Sequence, residues 1–470
     1  MPGVPFFIPE KRKERLRYVE PLLPLPASVT LAFETSQSCE GTLERERVVR
    51  ILTGLVICVI LALTSTSVLA GDANDPLRMK LLSERGSTRA TRYSNANKIV
   101  TLGSKTHIAW LDSVSRTMIA TFDHESQQWS RSVHVGNGQD NHGGPALTCD
   151  SRGYLHLVFG PHASVPFQHR RSARPNDATQ WIELKTFGTH PTYPSVVCDS
   201  DDTLHIIYRG GPQPRQPFSM LYQRKPRDGD WTEPVVLARC PNDWRGYTHY
   251  HQCLTIDRAG SLHIAFNLYY NGRALDVGYL KSTDRGQSWL RADGKAALLP
   301  VTIESEAILF HARHPLKVVS VVCDRTGTPW IAVNEQTQYS IRSYEGGTWR
   351  VMNANDLLTT EQRTADLSWG AITIADDGRL MVPVVVGKGV VGGVVGDLWL
   401  LVSDAQKKRF RQIHIAQPDK TQPHTGASLE RFTGHNSVAV PWLLFSTGPK
   451  GPDNFGKGLH HRVHAVFLRK

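Results

Sequence analysis

His142 and His162 stand near the two ends of the stretch DNHGGPALTCDSRGYLHLVFGPH, residues 140–162. Between them lie an apolar run, ALTC, a turn, DSRG, and an alternating run, YLHLVF. That pattern predicts a β-hairpin. A hairpin folds its ends together, so it would set the two imidazoles side by side, and imidazoles are the side chains best suited to move protons near neutral pH. The plainer reading is that each histidine is a hydrogen-bonded residue on the fringe of a sheet.

The hairpin recurs along the chain. SVVCDSDDTLHIIYRG (195–210), CLTIDRAGSLHIAFN (253–267), VSVVCDRTGTPWIAVNE (319–335) and AITIADDGRLMVPVVV (371–386) each give an apolar strand, an Asp-containing turn and a second alternating strand. The turn aspartates Asp150, Asp199, Asp257, Asp324 and Asp376 follow one another at intervals of roughly 50 to 65 residues, a spacing that predicts an all-β, seven-bladed β-propeller. Third strands such as FSMLYQRK (218–225) and DVGYLKS (276–282) come next, then a Trp-anchored fourth such as WTEPVVLA (231–238). KIVTLGSKTHIAWLD (98–112) and NSVAVPWLLFS (436–446) complete seven units. STDRGQSW (282–289) is an Asp-box, a structural turn between third and fourth strands that carries no chemistry of its own.

In such a fold the start of each first strand and the end of each second strand share one rim. Positions about eight residues before the turn aspartates hold His142, His190, His249 with Tyr250 and His251, and His314 beside Arg313. The ends of the second strands hold His162, Tyr208 with Arg209, Asn267 and Asn334. A rim of His, Tyr and Arg suits β-elimination on a uronic acid. A cation neutralises the sugar carboxylate, a base removes the proton alpha to it, and an acid protonates the departing glycosidic oxygen. Hydrolysis would call for two carboxylates, and Glu335 is the one acidic candidate at this rim.

These residues carry a resemblance. NHGGPALTCDSRGYLHLVFGPH, the Tyr-Arg that ends LHIIYRG, and LYQRK sixteen residues past that Tyr make the chain similar to BNR-repeat polysaccharide lyases of the ulvan lyase type, which are seven-bladed propellers. The resemblance implies a His and Tyr acting as base and acid at His142 and Tyr208, a second His at His162 and a carboxylate-neutralising Arg at Arg224. By register, Arg224 falls inside a third strand, so Arg209 or Arg215 is the alternative on the rim itself. Arg209, His249 and Tyr250 are further expected to bind substrate.

Cys149, Cys198 and Cys323 each directly precede a turn aspartate and read as small buried residues in a repeated packing slot. Cys240 and Cys253 differ. In HYHQC, His251 and Cys253 alternate onto one strand face, and with Cys240 and His311 they make a candidate tetrahedral Zn²⁺ site of structural type. A disulfide between Cys240 and Cys253 is the alternative. A structural zinc is also what the resemblance implies.

The chain has 470 residues and a formal net charge of +11. Residues 1–44 show no apolar periodicity and read as a disordered or mis-assigned extension. RERVVR (45–50), the apolar run 51–68 and the small residues up to Ala70 read as a signal peptide, with a membrane anchor as the alternative. Residues 71–470, the expected propeller domain, keep 46 basic against 36 acidic groups, a net of +10. A basic exported protein points to an anionic partner. No nucleic-acid-binding motif occurs, so the expected partner is an anionic polysaccharide, met by a secreted or periplasmic monomer that is free of the membrane once the signal is removed. The competing functions are a polysaccharide-binding propeller and a sialidase-like glycoside hydrolase. The hydrolase reading lacks support, because no Arg-Ile-Pro motif opens the expected propeller and a single clear Asp-box occurs.

Overall fold

The computed structural model describes residues 77–470 apart from 212–217, 240–248, 271–272, 336–337, 391–392, 419–421, 450–458 and 469–470, and gives only the backbone of Leu77, His249, Tyr250, Tyr270 and Arg273. The expected extension (1–44) and signal segment (45–70) lie outside the described residues, as do Arg215 and Cys240. No helix of the described residues is long and apolar enough to cross a membrane.

The described chain is all-β and forms six hydrogen-bonded sheets. The second sheet runs, in spatial and chain order, Ala146–Cys149, Leu155–Phe159, Phe167–Arg174 and Asp177–Phe187. The third is Thr192–Cys198, Leu204–Gly210, Ser219–Lys225 and Val235–Ala238; the fourth is His249–Ile256, Leu262–Tyr270, Arg273–Ser282 and Ile308–His311. The fifth follows the same antiparallel order from Leu316–Cys323 to Thr348–Asn353. The first sheet, beginning at Ile99–Leu102, has five strands. The sixth has nine, because Gly393–Ser403 and His424–Leu429 are joined by the single pair Val394 and His424. At its far edge the strand Leu77–Gly86 pairs with His461–Leu468, so the start of the described chain completes a sheet made from its end.

Burial follows strand position. First strands such as Ala146–Cys149 and Thr192–Cys198 are buried at every residue, which is why they read as unbroken apolar runs, whereas the outer strand Asp177–Phe187 is mostly wet. Seven apolar clusters lie between successive sets of strands. One joins the first and second sheets through Ile119 and Leu157; another joins the last strands to the first sheet through Trp442, Val463 and Trp110.

The recurring turns are built alike. Asp150, Asp199, Asp257 and Asp324 each accept, on one carboxylate oxygen, the backbone N–H groups two and four residues on. The fourth residue of each turn has positive φ, which explains Gly153, Gly260 and Gly327 there. Asp202 takes that place in the third sheet at φ +61°, and its carboxylate accepts from Ser151 N at 2.7 Å and from Arg227. The other oxygen of the turn aspartate faces a side chain of the following strand: His205 at 3.1 Å, His263 at 3.0 Å, Trp330 at 3.2 Å. In the Asp-box, Asp284 accepts from Gln287 N, Ser288 N and Ser288 Oγ, as that motif predicts. Cys149 and Cys198 fill buried slots, and Cys323 a half-buried one.

Candidate active site

At the end of the second sheet opposite the Asp150 turn, the two arms of the opening hairpin meet closely. A Cβ on Gly143 would stand 2.7 Å from the carbonyl oxygen of Gly160, so only glycine lets the arms approach this far. Gln139 N donates to that same carbonyl at 2.7 Å. The consequence is that His142 and His162 stack, with ring centroids 3.7 Å apart and planes 19° from parallel.

Asp140, which the sequence reading passed over, holds both rings. Its Oδ1 accepts the backbone N–H of His142 at 2.6 Å and lies 2.9 Å from His142 Nδ1; its Oδ2 lies 2.6 Å from His162 Nδ1. A carboxylate only accepts, so each Nδ1 carries the proton and each Nε2 is left with a lone pair. Burial by itself would raise the Asp140 carboxyl, but the hydrogen bonds from His142 and His162 outweigh it and hold the group well below the usual range. His142 is lowered by burial, with the positive charge of Arg89 and the neighbouring His162 acting in the same direction against Asp140. It is therefore neutral, and able to accept a proton, at neutral pH.

Two tyrosines complete the cluster. Tyr193 lies with its ring centroid 6.3 Å from that of His142 and 4.5 Å from Tyr93, whose own ring lies 6.0 Å from His142. Tyr193 adopts φ +59°, a conformation costly for an aromatic residue. Two side-chain amides, Asn95 Nδ2 at 3.3 Å and Gln252 Nε2 at 3.0 Å, fix its carbonyl there. Arg209 places its guanidinium carbon 4.7 Å from the Tyr193 ring centroid and donates to Thr192 Oγ1 at 3.3 Å. His142 thus shares one corner with the ring of Tyr193, 2% exposed, and the cation of Arg209, 1% exposed. Beyond Tyr93 opens a cavity of about 440 Å³, whose wall includes His251.

Two expected catalytic residues lie elsewhere. Tyr208 is 0% exposed and packs among Phe167, Val158 and Leu221, its hydroxyl donating to Gln223 Oε1 at 2.6 Å. Burial pushes that hydroxyl well above its ordinary pKa. Strand parity sets Tyr208 and Arg209 on opposite faces. Tyr208 and Arg209 are consecutive in one strand and face opposite ways, so once Arg209 faces Tyr193, Tyr208 faces the core. Arg224 pairs with His205, whereas Arg209 pairs with Thr192 and Met220. Four residues of strand, about 13 Å, separate the two positions, and Arg224 instead reaches the carbonyl of Arg285 at 3.4 Å. Of the two alternatives to Arg224, Arg209 is the one described. His249 and Tyr250 begin the first strand of the fourth sheet.

Of the expected zinc set Cys240 lies outside the described residues, and Cys253 and His311 stand apart. Cys253 is buried in that same first strand, 3.2 Å from Arg431 Nη1, while His311 stands on the fourth strand, 67% exposed and paired with Asp276. Three strand spacings, about 14 Å, lie between them, far more than the ~2 Å metal–ligand bonds of a shared ion allow. Two other groups are compact enough to hold an ion: Asp140 with His142 and His162, and Cys198 with Asp202 and His435. In both the carboxylate is already engaged, by the imidazoles in the first and by Ser151 and Arg227 in the second.

Residues 105–357 match the BNR repeat-containing family. The chain belongs to that family. As a BNR repeat-containing protein it is 22% identical over 344 residues to an ulvan lyase of Alteromonas sp., a match covering 56% of this chain and 70% of that one. It is 22% identical over 273 residues to an ulvan lyase of Pseudoalteromonas sp., covering 49% and 55%. Among solved structures it is similar to a PL25 ulvan lyase, also solved bound to -[GlcA(1-4)Rha3S]-, with TM-score 0.65, 16% identity, and 83% of this chain and 96% of that one covered. The polysaccharide lyase Uly1 follows at TM-score 0.53 and 13% identity. At these identities the structural likeness speaks for the fold.

Proposed function

We propose that this protein is a polysaccharide lyase that cleaves ulvan, a sulfated polymer containing uronic acid, by β-elimination. The observation that carries the reading is the stacked pair of imidazoles on Asp140 beside Tyr193 and Arg209. The names of the similar proteins support the substrate. We further read the fold as a seven-bladed propeller, supported by seven apolar clusters that link successive strand sets and lead from the last strands back to the first sheet. Residues 45–70 are read as the signal that exports it.

In this mechanism the uronate carboxylate is countered by the cation of Arg209, which makes the adjacent carbon acid enough to lose its proton. Nε2 of His142 takes that proton, and Asp140 stabilises the imidazolium that forms. The Tyr193 hydroxyl gives its proton to the departing glycosidic oxygen as the carbon–carbon double bond forms. His162, stacked on His142 and tied to the same carboxylate, fixes the ring plane and contacts the sugar.

The test is to incubate purified protein with ulvan and follow the ultraviolet absorbance of the unsaturated uronate. A rise in absorbance matching the new reducing ends is expected. Reducing ends without absorbance would establish hydrolysis, and tight binding with neither would establish a binding protein; either result overturns the lyase reading.

A further inference from the structure

The cavity beyond Tyr93 has walls from several separate parts of the chain. Arg89, Arg92 and Tyr93 come from the connection between Leu77–Gly86 and the first sheet; Lys317 and Asn334 are paired across the first two strands of the fifth sheet; Trp369 ends a short strand of the sixth. Among the described residues no aspartate or glutamate lines it. Two guanidinium groups and an ammonium group therefore border about 440 Å³ of space, a volume in the range of small-ligand sites. Cations gathered around a cavity give it a positive potential that attracts an anionic occupant.

One wall is an aromatic platform. The Trp369 indole stacks on Tyr339 with centroids 4.6 Å apart and planes 9° from parallel, and the Tyr339 hydroxyl donates to Gly370 O at 2.7 Å. Fixed rings of this kind take the apolar face of a sugar. Tyr93, also in the lining, reaches the catalytic cluster, since its ring lies 6.0 Å from His142. The cavity thus begins one side chain away from the proposed base.

We infer that this cavity is a subsite for the sulfate ester on the sugar next to the cleaved bond, with Arg92 and Lys317 as its main anion-binding residues and Trp369 as the surface on which the sugar lies. The inference rests on the lyase reading and deepens it. The uronate carboxylate is already countered by Arg209, so the second cationic site serves the other anion of the polymer. Guanidinium forks and a lysine ammonium supply several donors to the several oxygens of a sulfate ester.

The experiment compares ulvan with chemically desulfated ulvan, using wild type, Lys317→Ala and Arg92→Ala. On ulvan each substitution should raise KM roughly five- to tenfold, as expected for loss of one charge-assisted contact, with kcat within about twofold. On the desulfated polymer wild type should show the raised KM, and the substitutions should add nothing further. Lys317→Arg should restore most of the loss, which a merely structural role for Lys317 would not require. Equal losses on both polymers would assign the cavity to the carboxylate instead, and unchanged KM on both would remove it from binding altogether. Each of these results overturns the inference. If wild type produces no unsaturated uronate from either polymer, the lyase reading fails. Calorimetric titration of the same two polymers into wild type and Lys317→Ala then still decides the subsite, by whether sulfate-dependent affinity is present and is lost in the variant.

Discussion

Histidines meet aspartates at both ends of these sheets, and the two arrangements differ in one respect. At the turn end, His205 and His263 have both ring nitrogens occupied: Nε2 by Asp199 or Asp257, and Nδ1 by the hydroxyl of Tyr222 or Tyr279 at 2.7 Å. Their side chains are fully buried. At the other end His142 and His162 use only Nδ1, share a single carboxylate and stay partly exposed, at 14% and 28%. Residue types alone do not separate the two sets. An imidazole whose nitrogens are both paired inside the protein holds strands together, whereas one that keeps a nitrogen for solvent can exchange a proton with a substrate.

The sharpest way to break this comparison is to alter the open set. His142→Ala and Tyr193→Phe should each lower turnover on ulvan at least about a hundredfold, the effect of losing a general base or acid, with the melting temperature little changed. Near wild-type turnover in either variant would end the role assigned to it. Altering the closed set should do the reverse. His263→Phe leaves Asp257 and the Tyr279 hydroxyl buried without their partner, and should cost roughly 3–5 kcal/mol of stability. This would appear as a lower melting temperature, with the turnover of still-folded protein unchanged.

Acid should act on both regions, by different routes. His142 works neutral, so kcat/KM should fall on acidification with a limb below the ordinary histidine value of about 6.5. Asp140→Asn should move that limb to still lower pH, because the carboxylate favours the imidazolium. Stability has its own window. Burial lowers His107, His461 and His464 to about 4 each, while the unfolded chain protonates them near 6.5. Between these values the unfolded state holds more protons, so their contribution is complete above 6.5 and is lost as pH falls through about 4. A series of melts from pH 7 to pH 4 reads this directly. The smallest effects concern the displaced residues. Tyr208→Phe should cost about 1 kcal/mol through its bond to Gln223, and both it and Arg224→Ala should keep turnover within about threefold. A hundredfold loss in Tyr208→Phe would return the acid to Tyr208.

The repeats were legible because each needs an Asp turn and two strands of plain alternation, features that survive in sequence whatever surrounds them. His142 and His162 were legible for the same reason, since a hairpin of known length fixes where its ends go. Asp140 was within reach: an aspartate two residues before a histidine at a turn commonly closes on that residue's N–H, as it does here. Tyr193 was not, because nothing in HPTYPS announces a tyrosine at φ +59°, a state imposed by Asn95 and Gln252 from other parts of the chain. Tyr208 and Arg209 are neighbours in one strand and so face opposite ways, which the sequence shows, but which of the two faces the site is set by the packing of neighbouring strands. The cavity was illegible because Arg89, Arg92 and Tyr93 lie in a connection without periodicity, and only the meeting of several distant segments gives them a common purpose.

The pairing of Leu77–Gly86 with His461–Leu468 has a consequence for how the molecule is made. The first described strand to be synthesised has for its partner the last, so its edge stays bare through nearly all of translation, and no shortened chain can cover it. Closing so long a loop is slow compared with forming local hairpins. The sheets between can assemble one after another, but the final pairing must wait for His461–Leu468 to be made. A nascent chain of this kind is least protected just before that strand emerges, and its emergence is the event that seals the sheet.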